Sequence, residues 1–126
     1  SNEGQLFVID RNAMNVVATI PTGAGTGHTR FVPNKDLAII TNHKDTFVTI
    51  VDTNSHRKIK DVVVSGPQQH NELMQSHTSY VDHDSRHFYA YASDNGKFYR
   101  LNLKSLKIEQ ELYTGGIPKQ GVFIEH

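Results

Sequence analysis

Histidines are the residues of this chain whose type and placing point most directly to chemistry. Two of them, His28 and His77, open near-identical segments, "HTRFV" and "HTSYV". Neutral imidazole is the usual protein ligand for zinc, copper and haem iron. A repeated segment that carries one imidazole per copy brings several ligands together when the copies are arranged in rotation. His43 in "TNHKD" and His70 in "GPQQHNELMQ" would complete such a set. The candidate metal ligands are therefore His28, His77, His43 and His70, with copper, zinc or haem as the group held. A plainer use competes, in which each imidazole hydrogen-bonds a loop carbonyl and no metal is involved. No H-E-x-x-H pair is present to favour the first.

Other reactive constellations are missing from the sequence. There is no cysteine, so disulfides, thiolate ligands and cysteine nucleophiles are excluded. No G-x-S-x-G elbow or Walker loop occurs. "TGAGTGHT" has the glycines of a phosphate loop, but it joins two strand-like segments and so lacks the helix N-terminus that would hold an anion. Asp10 and Asp52 resemble a carboxylate pair, yet both close a "V-I-D" type segment just before a turn, where a short carboxylate caps backbone N–H groups. Whether the chain is an enzyme stays open at this level.

The balance of 13 Lys+Arg against 13 Asp+Glu gives no net field to draw nucleic acid or an anionic membrane. The apolar runs, "LAII" and "VVV" among them, are far shorter than the ~20 residues of a membrane span, and the opening "SNEGQ" has no leader character.

The elements that must position the histidines are written as a repeat. "FVIDRNAMNVVATIPTG" is echoed by "VTIVDTNSHRKIKDVVVSG" and again by "FYRLNLKSLKIEQELYTG", with Asp10, Asp52 and Asn102 in register. The second interval is longer than the first because "PQQHNELMQ" is inserted before His77. Each full unit holds four short strands rich in Val, Ile, Thr, Phe and Tyr and bounded by Asn, Asp, Gly and Ser. In order they are a ("HTRFV", "HTSYV"), b ("LAIITN", "FYAYAS"), c and d. About forty residues in four antiparallel strands is the sequence form of a β-propeller blade. The expected fold is all-β, with about three blades and an incomplete ring. Residues 1–23 give strands c and d of a first blade, 28–66 and 77–116 give two full blades, and 117–126 give strand a of a further one. Such ends need partners, either further blades of a longer polypeptide or another copy of the chain in a homo-oligomer.

Strand parity sorts the loops into two faces. His28, His77, His43 and His70 fall on the face of the d–a and b–c connections, with Gln120 at the place of a third strand-opening residue. His83, His87 and His126 fall on the opposite face and are expected to be solvated. Inter-blade packing is expected from Val8, Ile9, Val17, Ile20, Phe31, Ile39, Phe47, Ile50, Ile59, Val63, Tyr89, Phe98, Leu101, Ile108 and Leu112.

"FVIDRNAMNVVATIPTG" followed by "GHTRFVPNKDLAIITN" resembles the YVTN-type propeller repeat, with "IITN" where the family reads Y-V-T-N. The likeness covers most of the chain and weakens in the third copy, which has "RLN" for "VID". The resemblance implies an extracytoplasmic propeller, periplasmic or at the cell surface. Its architecture is shared with the haem-d1 domain of cytochrome cd1 nitrite reductases and the copper-bearing propeller of nitrous oxide reductase. Three functions follow as expectations. The first is a metal or metallocofactor site on the His-bearing face, within a redox protein. The second is a non-catalytic surface or protein-interaction propeller. The third, and weakest, is a lactonase-type hydrolase using Asp94, Asn95 and Asn42.

Overall fold

The computed structural model describes residues 4–66, 75–92, 96–115 and 124–125, with the side chains of residues 75–78 outside that set. Ten strands are present, and no helix occurs among the described residues. They are β1 (Gln5–Asp10), β2 (Asn15–Pro21), β3 (Thr26–Val32), β4 (Leu37–Asn42), β5 (Phe47–Asp52), β6 (Arg57–Val63), β7 (Gln75–Val81), β8 (His87–Ala92), β9 (Lys97–Asn102) and β10 (Lys107–Tyr113). They form a two-stranded sheet β1-β2 and two four-stranded antiparallel sheets in simple up-and-down order, β3-β4-β5-β6 and β7-β8-β9-β10. These are propeller blades in an unclosed ring.

The turn between the last two strands of each blade is built the same way three times. Asp10 Oδ1 accepts from Asn12 N at 2.9 Å and Ala13 N at 3.0 Å. Asp52 Oδ1 accepts from Asn54 N at 2.8 Å and Ser55 N at 2.9 Å. Asn102 Oδ1 accepts from Lys104 N at 2.8 Å and Ser105 N at 2.9 Å. These backbone donors hold the Asp10 and Asp52 carboxyls below their usual range. The fourth residue of each turn is left-handed, with φ of 54° at Met14, 60° at His56 and 58° at Leu106. Asp10 and Asp52 are turn formers, as their spacing predicts.

Immediately after the turn, each blade carries a bulge that resets the strand's parity. The pairing jumps from Val8↔Ala18 to Ile9↔Val16, from Ile50↔Lys60 to Val51↔Lys58, and from Arg100↔Gln110 to Ile108↔Leu101. Val17, Ile59 and Glu109 are the extra residues. Simple alternation across a bulge assigns the wrong face, which is why several expected core residues are open. Val17 is 49% exposed, Ile59 43% and Val63 67%, while Val62, one residue earlier, is 8% exposed. Ile9, Phe31 and Leu112 are open as well.

Two apolar layers hold the blades together. Ile20, Ala38, Ile40 and Val51, with Leu6 and Val8, join the first sheet to the second. Val32, Ile39, Val48, Ile50, Val62 and Val64 meet Phe88, Ala90, Tyr99, Leu101 and Leu103 between the second and third. Strand b is sealed on both faces, so its sequence is a nearly unbroken apolar run. Polar ties reinforce the second junction: Arg30 Nη2 donates to Ser79 O at 2.8 Å, and Ser85 Oγ donates to Pro33 O at 2.6 Å.

Candidate functional site

The expected meeting of d–a and b–c connections on one face is what positions His28 and His43. β2 ends at Pro21, and the connector to β3 turns at Gly25, where φ is +64°. It lies against the turn after β4: His43 N donates to Gly25 O at 2.8 Å and Lys44 N to Ala24 O at 3.1 Å. Asp45 locks both segments, its Oδ2 accepting from Ala24 N and its Oδ1 from Thr46 N, each at 2.9 Å. Beneath the turn, Asn42 Nδ2 donates to Phe47 O at 2.9 Å and Thr49 Oγ1 to Asp61 Oδ1 at 2.9 Å, giving the buried strand end polar partners.

His28 and His43 come together there. Their ring centroids are 5.7 Å apart and their planes cross at 88°. His28 is exposed on β3, and its backbone N–H donates to Thr41 Oγ1 at 3.2 Å. His43 is buried, with 7% exposure, and its ring covers Gly27, where any Cβ would overlap the imidazole. Gly27→Ala should therefore dislodge the ring. Overpacking of this kind costs ~1–3 kcal/mol, and a thermal melt indistinguishable from that of the unaltered chain would show the contact to be slack.

His77 lies on β7 at the place His28 holds on β3, but its side chain, like all of His70, Asp94, Asn95, Gln120 and His126, lies outside the described residues. No three His, Cys, Asp or Glu side chains among the described residues converge to hold an ion. The imidazole pair supplies two nitrogens, whereas zinc takes three or four protein ligands.

A second cluster, on the opposite face, runs against expectation. His87 is not a solvated histidine; its side chain is 24% exposed and sits between two carboxylates. Nδ1 is 2.7 Å from Asp82 Oδ2, and Nε2 is 2.7 Å from Glu109 Oε1. Arg100 Nε also reaches Glu109 Oε1, at 2.9 Å. Burial raises the Asp82 pKa, but hydrogen bonds from the His87 backbone and ring and from Arg86 N–H outweigh it and hold the carboxyl below its usual range. Nearby, Glu125 bonds the Tyr80 hydroxyl and the His83 ring. Its carboxyl is lowered and the Tyr80 hydroxyl is pushed up to about 12. The signal for this cluster lies in the repeat. Leu37, Ile39 and Ile50 of the second blade become His87, Tyr89 and Arg100 in the third, a coordinated change on one face.

No protein-family model matches the chain, and no curated protein matches it. Solved structures match over almost its whole length. Hydrazine synthase from Kuenenia stuttgartiensis aligns with a TM-score of 0.72 at 13% identity, over 90% of this chain and 30% of that one. Apo AztD from Citrobacter koseri aligns at 0.68 and 16% identity, over 91% and 30%. The dihydro-heme d1 dehydrogenase NirN, in complex with DHE, aligns at 0.66 and 16% identity, over 91% and 24%. These are β-propeller proteins, and the chain is likewise part of a β-propeller. It spans about a quarter to a third of their length.

Proposed function

We infer that this segment of a β-propeller contributes to a metal or metallocofactor site on its His-bearing face, in a redox protein of the YVTN-like kind that works outside the cytoplasm. The observation that carries this is the contact of His28 and His43 where two connections are pinned together, with the repeat placing His77 at the equivalent point one blade on. His70 precedes His77 in the inserted segment and is the fourth candidate. Copper, zinc and haem iron all suit imidazole donors. A dehydrogenase of dihydro-haem d1 among the structural neighbours is in keeping with this reading.

Direct metal binding tests it. Zinc or copper titrated into the chain should be retained after gel filtration, with metal–nitrogen distances of about 2.0–2.1 Å by X-ray absorption. Because imidazole must shed its proton to bind, retention should weaken on acidification. His28→Ala with His77→Ala should abolish retention with the melting temperature largely kept, since His28 packs in neither apolar layer. A chain that retains no metal favours the second reading, an interaction propeller without cofactor. That reading has its own support in the seating of His43 over Gly27, which gives the ring a purely structural use.

A further inference from the structure

Charge is shared unevenly between the inner and outer strands of the two complete blades. In a propeller the first strand of each blade lies nearest the central channel. Here those strands are β3 and β7, edge strands of their sheets with β4 and β8 beside them. None of these four contains Asp or Glu, although the chain has 13 acidic residues. What β3 and β7 carry instead is His28, His77, Arg30 and several hydroxyl side chains. Arg30 is exposed, yet its guanidinium is fixed in place. Nε donates to Ser79 Oγ at 3.2 Å and Nη2 to Ser79 O at 2.8 Å, so one edge of the fork is bound to the next blade. Ser79 is the residue that the repeat makes equivalent to Arg30, in "HTSYV" against "HTRFV". The other edge, Nη1 with the second N–H of Nη2, takes no part in that contact. Among the described residues no carboxylate pairs with Arg30, whereas Arg86 has Asp84 and Arg100 has Glu109.

We propose that Arg30, set among these acid-free inner strands, is the anchor of a binding site for an oxyanion, either the carboxylate of a small organic ligand or an inorganic oxyanion. The outer edge of a guanidinium matches two oxygens of such a group and binds them through parallel, charge-assisted N–H···O bonds. Ser79 holds the plane of the fork before the ligand arrives, so less side-chain freedom is lost on binding. With no carboxylate on β3, β4, β7 or β8, an arriving anion meets no like charge on those strands. The site stands on the junction of the second and third blades, both complete, and it takes an anion whether or not the histidines hold a metal.

The test uses the chain stripped of metal on a chelating resin, so its outcome is separate from that of metal retention. The Arg30 Nε–H resonance is followed by NMR while sodium acetate or sodium sulfate is added at neutral pH. Ionic strength is held constant with sodium chloride, because screening alone weakens an exposed charge. At least one of the two anions should shift the resonance to saturation, while the exposed Arg11 and Arg57 drift without saturating. Saturation at lower acetate concentration identifies a carboxylate ligand, and at lower sulfate concentration an inorganic oxyanion. Arg30→Lys keeps the charge and loses the fork. In that chain the affinity, read from the Thr29 and Phe31 amides, should fall at least about tenfold. A resonance that saturates with neither anion overturns the proposal, and this holds even where the lysine variant is poorly folded. Undiminished affinity in a folded Arg30→Lys chain overturns it as well, since the anion would then be held by charge alone.

Discussion

Phe88→Ala should be the most destabilising single truncation in this chain, at about 3–5 kcal/mol. The side chain is fully buried, with 0% exposure, in the apolar layer between the second and third blades. Its ring stands 6.3 Å from that of Tyr99, and on β8 it is opposite Leu101 in the pairing with β9. Its neighbours are β-sheet side chains fixed by backbone ladders on both sides, so they cannot collapse into the space left behind, and the cavity term adds to the lost transfer energy. A domain of this size holds roughly 5–15 kcal/mol in total, so the loss is a large share of it. Because each blade is stabilised mainly by its neighbours, the third sheet should detach first. Urea unfolding should show a lowered midpoint together with early loss of amide protection in β8 and β9. A midpoint shift worth less than about 1 kcal/mol would show the junction to be held by its polar ties, Arg30–Ser79 and Ser85–Pro33, more than by apolar burial.

Much of this fold is legible in the sequence because each blade repeats its own punctuation. Asp10, Asp52 and Asn102 mark a turn whose geometry recurs to within a few degrees at Met14, His56 and Leu106. Strand b announces its two-sided burial as the run "LAII". What pattern alone misplaces is the outward strand, where a one-residue bulge inverts the alternation and puts Val62 inside and Val63 outside. A propeller covers the positions of Phe31 and Ile9, so the expectation of a core place is sound; among the described residues both side chains are nonetheless exposed. The candidate site divides similarly. Strand parity brings His43 and His28 to one face, and they do meet there. That His43 is buried over Gly27 depends on the path of the connector, which no periodicity encodes. His87 is the instructive miss. Parity assigned it to the second face correctly, but its partner Glu109 is a bulge residue, so their approach follows from the bulge and not from spacing.

The His87 clasp should set how the third blade responds to acid. Carboxylates only accept hydrogen bonds, and the His87 ring, 2.7 Å from both Asp82 Oδ2 and Glu109 Oε1, ties the end of β7, the start of β8 and β10 together. Asp82 is lowered despite its burial, as described above, and Glu109 is lowered chiefly by the Asn102 amide, against some burial, with Arg100 and His87 adding to the effect. Both carboxyls thus hold protons more weakly folded than unfolded. The unfolded chain binds more protons in acid, so the stabilisation is fully present above the ordinary carboxylate values and is lost as pH falls below about 4 through the folded ones. Replacing His87 by alanine removes the ring from both partners but leaves Asp82 its backbone donors, at Arg86 N and His87 N. The side chain is partly exposed, and the cost near neutrality is expected to be modest, about 1–2 kcal/mol. The larger signature is in the titration. Without the ring, Asp82 gives up part of its depression, so acid unfolding of His87→Ala should begin at higher pH than in the unaltered chain, with His87→Gln in between because its amide can still donate to one carboxylate. Chemical shifts of the Asp82 side chain followed through the acid range give the same comparison residue by residue. If the acid midpoints of all three chains coincide, the clasp is a solvent-screened contact, and the Asp82 carboxylate is held by the backbone N–H groups alone.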